Sequence, residues 1–414
     1  MKAGRVNPLR SAVVSFLDGI RYGSIELREG AWSHTLGGGN PGPSVTVEVH
    51  SPELWRRMLR GSTGMAESYM LGEWDCEDLL GLTTIAGHNL DLLDAVRGRF
   101  HWLTGPVQKL GVTMPRTTRS RGREQISAHY DLGNTLFSLF LDESMNYSAG
   151  IYESPEDSLE QAQINKMNRI AERLDLGPDI HLLEIGTGWG GLAVHLASTT
   201  GCRITTTTIS REQATLARER VQVAGLEDQV KVIETDYRDL TGTYDRLVSI
   251  EMIEAVGWKD FPTYFRRCSE LLKPDGLMLL QAIVIDDDAY EIEKASRSFI
   301  SRFIFPGGCL PSMREIDRCL ATETDLRTTW IEDIGMDYAR TLADWRERFV
   351  AATDRLEELG YDERFRRMWM LYLCFAEGGF RSGRNSDAQM TMIKPRYLAP
   401  TQPSGKAPAG TNPA

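Results

Sequence analysis

Between His181 and Ser198 the chain reads HLLEIGTGWGGLAVHLAS, and this stretch restricts the fold more than any other. Leu182, Leu183, Glu184 and Ile185 make a short apolar run of strand length. Gly186, Gly188, Gly190 and Gly191 then crowd a turn, and Leu192, Val194, Leu196 and Ala197 begin a helical pattern. A strand that feeds a glycine-rich turn and a helix N-terminus lets the backbone approach a ligand that a Cβ would push away. The third glycine comes too early for the dinucleotide pattern G-x-G-x-x-G. Taken alone, the same glycines also suit a tight strand–helix turn with no ligand.

The segments around that turn extend it into a sheet. Arg203–Ile209 is β-branched, and Ser210 stands where it can cap the helix ending near Gly225. Val230–Glu234, Tyr244–Ile250 and Leu277–Ile285 read as further strands, the last reached through Lys273-Pro274-Asp275-Gly276. Strands alternating with helices imply a parallel sheet with right-handed crossovers. Ligands of such sheets sit at the C-terminal strand ends, where Gly186–Gly190, Thr208, Asp236 and Glu254 fall.

Upstream, Gly23–Glu29 and Ser44–His50 alternate like half-buried strands, and Ser51–Leu59 starts a helix. MAESYMLGEWDCEDLLGL reads as a helix, a turn at Gly72 and a second helix capped near Asp75. Residues 1–115 thus form a small α+β unit, either a lipid-handling or dimer-forming domain or a scaffold; a homodimer stays open. Arg116–Arg123 (RTTRSRGR) reads as a basic linker suited to anionic phospholipid. Gln161–Arg173 is an amphipathic helix. From 286 onward the chain reads as mainly helical, with long helices over about Ala339–Leu359 and Asp362–Phe380. Residues 396–414 are low-complexity and read as disordered.

Six scattered cysteines without a CxxC pair argue against a zinc site, and all seven histidines lie at or before His195. The net charge of −11 argues against nucleic acid as a partner. No apolar run is long enough to cross a bilayer, and the N-terminus lacks a cleavable signal pattern. A cytoplasmic protein is expected.

Several motifs are more specific than the glycine turn. The form Glu184-x-Gly-x-Gly-x-Gly resembles motif I of class I methyltransferases that bind S-adenosylmethionine. With HYDLGN (129–134), MNYS (145–148), TISREQ (208–213), DYRD (236–239), EMIEAVG (251–257), FIFPGGCLPS (303–312) and GMDYARTLADWRERF (335–349), the chain resembles the cyclopropane fatty acid synthase family of lipid methyltransferases. The resemblance spans about 120–385. It implies an α/β class I methyltransferase domain over 124–395, Rossmann-like and mostly parallel, with a helical acyl-chain cap.

The resemblance also implies sites. Tyr147 and Ser148 would contact the methionine end of S-adenosylmethionine, helped by Glu184. Gly186, Gly188 and Gly190 would form its cradle. Thr208 and Gln213 would lie near the ribose, and Asp236 and Tyr237 near the adenine. The substrate implied is a cis double bond in a phospholipid acyl chain, met by a peripheral enzyme at the inner face of the plasma membrane. Methyl transfer to an alkene leaves a carbocation, so the site must orient the reactants, exclude water and supply a base. Tyr338 or Trp369 could stabilise the cation through its π face, worth about 1–2 kcal/mol when desolvated.

In cyclopropane-forming relatives the base is a bound bicarbonate. Of its implied ligands, Glu254, Ile283 and Tyr338 match, whereas Ala149 stands for the Cys and Gln281 for the His. Losing the His counts against bicarbonate here. Glu143 stands where the family commonly has an uncharged residue, and it is the candidate base, with a solvent-facing loop carboxylate as the plainer reading. A changed base site points to a changed outcome: a hydride shift before proton loss gives an exocyclic methylene instead of a ring. The expected product is a 10-methylene acyl chain, saturated by a separate flavin-dependent reductase. The alternatives are a cyclopropane synthase with a remodelled bicarbonate pocket and a catalytically silent S-adenosylmethionine- or lipid-binding protein.

Overall fold

The computed structural model describes residues 7–90, 92, 133–295 and 298–398. The basic linker 116–123, most of HYDLGN and the tail from 399 lie outside the described residues.

The N-terminal unit is built on a four-stranded sheet of β1 (Ser24–Glu29), β2 (Trp32–Leu36), β3 (Ser44–Val49) and β4 (Trp74–Cys76), in the order β2-β1-β3-β4. β1 and β3 match the two strands expected from alternation. β2 was not foreseen, because only Leu36 of its five residues is fully buried. The helix expected near Asp75 is corrected. Residues 74–76 pair with β3, which buries Trp74, and the helix starts at Leu79 with Asp78 as its cap. Asp78 Oδ1 accepts from the Gly81 amide at 2.7 Å.

The second sheet has seven strands: β5 (His181–Ile185), β6 (Arg203–Thr207), β7 (Val230–Ile233), β8 (Tyr244–Ile250), β9 (Leu272–Ile285), β10 (Arg327–Asp333) and β11 (Asn385–Ile393). Their order is β10-β11-β9-β8-β5-β6-β7. β5 to β9 are mutually parallel, as the alternation of strands and helices predicts. β11 runs antiparallel between β9 and β10, so the C-terminal third is less helical than expected. Lys273–Gly276 falls inside β9, where the register against β8 slips between Tyr244 and Arg246.

Two C-terminal helices join the halves. Gly335–Ala351 and Glu363–Arg381 pack together, and the second also receives the N-terminal unit. There Thr83 Oγ1 donates to the Cys374 carbonyl at 2.7 Å. Arg367 donates to the carbonyls of Tyr69 and Trp74 at 2.6 and 2.8 Å. One hydrophobic core accordingly runs from Val13 and Leu36 through Phe137 and Trp345 to Phe380.

Candidate active site

β5 ends at Ile185, and the next turn carries positive φ at Gly186 (106°), Gly188 (51°) and Gly190 (87°). A Cβ on Gly190 would lie 3.0 Å from Ala217, so that glycine answers to helix packing. A Cβ on Gly188 would meet nothing within 4 Å, so its bare backbone faces open space. Beside it, Glu184 is buried and its Oε2 has no hydrogen-bond partner. Burial pushes its pKa up to about 8. Tyr237, past the end of β7, has a buried hydroxyl that is likewise unpartnered. A glycine cradle with two orphaned polar groups fits a polar ligand of S-adenosylmethionine's kind. Thr208 and Gln213 bond to each other at 2.9 Å, and Asp236 is engaged by Arg238 at 2.6 Å. Thr208 follows the end of β6 and Asp236 lies past the end of β7, where the strand pattern puts them, while Gln213 sits in the first turn of the helix Arg211–Val223.

The loop before the cradle is shaped by Asp142. Its buried carboxylate accepts from the amides of Ser144 (2.9 Å) and Asn146 (3.2 Å), with Met145 at φ 55°. Arg220 clamps the outside of the turn by donating to the carbonyls of Glu143 and Ser144 at 3.0 and 2.6 Å. Glu143 itself is exposed. The candidate base is therefore corrected: this side chain lies in solvent because Asp142, not Glu143, is the residue the turn folds around.

Within the loop, Tyr147 and Ser148 do face the interior. The Tyr147 ring stacks on Trp345 at 5.1 Å, and its hydroxyl is 2.8 Å from that of Tyr372. Ser148 Oγ accepts from the buried Lys166 ammonium at 2.6 Å, and Gln163 donates to the Ser148 carbonyl at 2.8 Å. The FPGG turn brings Phe305 against Tyr147 and Tyr372, and the Cys309 amide donates to the Glu254 carbonyl at 2.8 Å. Phe305, Tyr147, Trp345 and Tyr372 form an aromatic wall. Trp369 is wholly buried behind it, edge-on to Tyr372, so it packs the core.

At the C-terminal end of β8 the wall meets a cluster of acids. Glu251 Oε1 accepts from the Ala149 amide and from Gln281 Nε2, each at 2.8 Å, and its Oε2 accepts from the Tyr338 hydroxyl at 2.7 Å. Gln281 Nε2 also donates to Asp387 Oδ2 at 2.8 Å, and Gln389 Nε2 donates to Gln281 Oε1 at 2.9 Å. Glu254 Oε1 accepts from the Ile283 amide at 2.6 Å, while its Oε2 is buried without a partner. Burial, then the charge of Glu251, pushes Glu254 up to about 8. Asp387 lies well above the carboxylate range for the same two reasons, and burial raises Glu251 too. Lys166 is drawn down to about 8 by burial, against the pull of Glu251, Asp142 and Asp387.

Glu254, Gln281, Ile283 and Tyr338 are thus brought together as expected, but around a carboxylate the sequence reading passed over. Glu251 stands in the same EMIEAVG stretch as Glu254, directly after the last residue of β8. An acid at that strand end was the available signal. Asp387 and Gln389 were missed with their strand, and Lys166 was hidden inside an amphipathic helix.

Comparison with known proteins identifies the family. Residues 117–390 fit the family model described as mycolic acid cyclopropane synthetase. The chain is 40% identical to tuberculostearic acid methyltransferase UfaA1 of Mycobacterium tuberculosis, over 84% of this chain and 82% of that one. It is 37% identical to the cyclopropane-fatty-acyl-phospholipid synthase of Escherichia coli K12, over 83% and 86%. Among solved structures, the mycolic acid cyclopropane synthase CmaA1 complexed with SAH and CTAB shares 28% identity at a TM-score of 0.61, covering 66% of this chain and 98% of that one. The cyclopropane synthase MmaA2 from Mycobacterium tuberculosis is 28% identical at 0.62, with the same coverage. On these matches the chain belongs to the mycolic acid cyclopropane synthetase family and is an S-adenosylmethionine-dependent lipid methyltransferase.

Proposed function

We propose that this enzyme methylates the cis double bond of an unsaturated phospholipid acyl chain and releases a 10-methylene chain, the precursor of a 10-methyl branch. The observation that carries the reading is the aromatic wall of Tyr147, Phe305, Trp345 and Tyr372, joined to the acid cluster through Tyr338. Bound S-adenosylmethionine supplies an electrophilic methyl group. Gly186, Gly188 and Gly190 with Glu184, Tyr147 and Ser148 hold that cofactor. The apolar wall excludes water that would quench a cation on the acyl chain. The aromatic faces stabilise that cation, by about 1–2 kcal/mol when desolvated.

Two features favour the methylene over the ring. Gln281 is neutral where the bicarbonate-binding enzymes carry a His. Tuberculostearic acid, named in the UfaA1 relative, is a 10-methyl fatty acid of the kind a methylene product would lead to. The similarity to the Escherichia coli synthase, and the Glu254–Ile283 pair, support a cyclopropane synthase as the second reading. The methylene reading brings two partners with it: an anionic bilayer at the inner face of the plasma membrane, and a flavin-dependent reductase that saturates the product. No helix among the described residues is long and apolar enough to cross a membrane.

The test is product identity. Oleoyl phospholipid would be incubated with S-adenosylmethionine carrying carbon-13 in the methyl, and the lipid examined by NMR. Olefinic signals from the labelled carbon are expected. Strongly shielded ring signals would move the enzyme to the cyclopropane branch, and no labelled lipid would sink the choice of substrate.

A further inference from the structure

Glu251 has φ 46°, a left-handed conformation that a residue with a Cβ adopts only at a cost. Such strain persists only where the surroundings over-determine it, and it gathers at functional sites. Its side chain is over-determined by three donors from three separate elements. The Ala149 amide comes from the loop that carries Tyr147 and Ser148, Gln281 from β9, and Tyr338 from the helix Gly335–Ala351. Of about four lone-pair sites on a carboxylate, these bonds use three, and Asp387 hydrogen-bonds to Glu251 as well, as a neutral acid donating to a carboxylate would. The following residue, Met252, lies 3.2 Å from where a Cβ on Gly186 would be, so Glu251 adjoins the cradle. On its other side the Tyr338 ring meets Trp345 edge-on at 6.1 Å, which ties it to the aromatic wall.

From this geometry we infer that Glu251 is the general base of the reaction, built into the chain where related enzymes employ a separate anion. The inference rests on the alkene-methylating function proposed above. In the step assigned to it, a 1,2-hydride shift along the acyl chain has already moved the cation onto the carbon that carries the new methyl, and a C–H bond of that methyl then breaks. The electron pair of that bond forms the exocyclic carbon–carbon double bond and discharges the cation, and the proton passes to a Glu251 oxygen as an O–H bond. The neutral acid then returns its proton to water when the site opens.

The groups around Glu251 suit that duty. Asp387 shares the two hydrogens of Gln281 Nε2 with it, and Glu254 is the other acid nearby. Both are pushed toward the neutral form, Asp387 and Glu254 alike, in part by the charge on Glu251. Lys166 is the cation that offsets Glu251, with Asp142 as its second acidic neighbour. Burial raises Glu251 too, but the Lys166 charge, the Ala149 amide and the Tyr338 hydroxyl all favour its ionised form, so it is the best-supported carboxylate of the three. Ala149, Gln281 and Tyr338 are also three of the positions that the family resemblance assigns to a bound anion. Here they are spent on a side chain.

The test uses the full-length enzyme, unsaturated phospholipid vesicles and isotopically labelled S-adenosylmethionine. Glu251→Gln keeps the shape and removes the basicity. Turnover should fall by about 100-fold or more, the range for a lost general base, while S-adenosylmethionine affinity changes by less than about threefold. Glu251→Gly relieves the positive φ and leaves the three donors facing a space the size of a small anion. Its turnover should recover with added formate or bicarbonate, whereas the wild type should ignore both. Near-normal turnover in Glu251→Gln, or strong stimulation of the degassed wild type by bicarbonate, would overturn the assignment. If Glu251→Gln does not fold, the glycine variant and the wild-type bicarbonate response decide alone, and no rescue there refutes the role. Ring product from an enzyme that still needs Glu251 would sink the methylene reading and leave this one standing.

Discussion

At the scale of single residues, the cradle separates glycines that serve packing from glycines that serve a ligand. Gly188 and Gly190 both have positive φ, so alanine at either costs about 1–2 kcal/mol from the backbone alone. Only at Gly190 does the new Cβ also press on Ala217. Gly188→Ala should therefore melt only a few degrees below wild type yet bind S-adenosylmethionine at least about tenfold more weakly, because the methyl enters the ligand's space. Gly190→Ala should lose more stability than Gly188→Ala. Calorimetric titration and thermal melts of the two variants separate these effects, and equal ligand affinity in Gly188→Ala and wild type would remove Gly188 from the cradle.

The buried acids set a pH dependence at the same scale. Glu184 and Glu254 sit near 8 in the fold, against an ordinary value of 4.5. A raised pKa means that the folded state binds the proton more tightly than the unfolded chain does. Each contribution is whole below about 4.5 and drains away as pH rises to about 8, by up to about 1.4 kcal/mol per pH unit per group. Lys166, lowered to about 8 from 10.5, acts with the opposite slope and only above about 8, so it does not mask this trend. The ligand-free protein should melt lower at about pH 8 than at about pH 6. Glu184→Gln should flatten that slope, and a slope unchanged by the substitution would mean that Glu184 is ionised throughout.

Among the elements, what could be read from the sequence follows from how each is buried. β5, β6 and β8 are apolar or β-branched runs, and the sequence reading places all three. β11 is buried on both faces, with Ala388, Met390 and Met392 on one and Asp387, Gln389 and Thr391 on the other. Its apolar positions are Ala and Met instead of β-branched or aromatic residues, so its alternation carries a weak strand signal. β10 lies at the sheet edge with every second residue exposed, and it hides for a different reason. The helix Glu363–Arg381 reads clearly, yet its key charge does not. Glu377 is fully buried and accepts from Arg346 at 3.0 Å and Arg381 at 2.8 Å, joining this helix to Gly335–Ala351. Breaking a buried pair by removing one member typically costs 3–5 kcal/mol, and both arginines keep some solvent access here. Glu377→Ala should therefore cost about 3 kcal/mol in denaturant unfolding, the lower end of that range. A loss below about 0.5 kcal/mol would show that the arginines re-solvate freely.

For the whole molecule, the question is what the N-terminal unit contributes to a site in which none of its described residues appears. The helix Glu363–Arg381 is the connection. Its Tyr372 closes the aromatic wall, while Gly378 lies against the N-terminal helix Leu79–His88. A Cβ on Gly378 would fall 2.7 Å from Thr83 Oγ1 and 2.9 Å from Thr83 backbone, and one on Gly87 would fall 2.3 Å from Ser382 Oγ. The two helices therefore meet backbone to backbone, and neither can accept a larger residue without moving. Gly378→Val should wedge them apart and tilt Tyr372 away from Tyr147. The cradle rests on β5, β6 and β7, on the far side of the sheet order from β11, so S-adenosylmethionine should still bind. The expected result is lipid turnover lowered by tenfold or more, near-normal cofactor affinity and a thermal transition that splits in two, since a shared core has been divided. Gly177→Ala is the control: its Cβ meets nothing within 4 Å and its φ is not positive, so turnover and melting should hold. If Gly378→Val keeps full turnover, the N-terminal unit does not brace the wall, and its contribution lies in contacts outside this chain. If cofactor binding is lost along with turnover, the two sheets fold as one unit, and the cradle depends on a dock formed at the opposite end of the larger sheet.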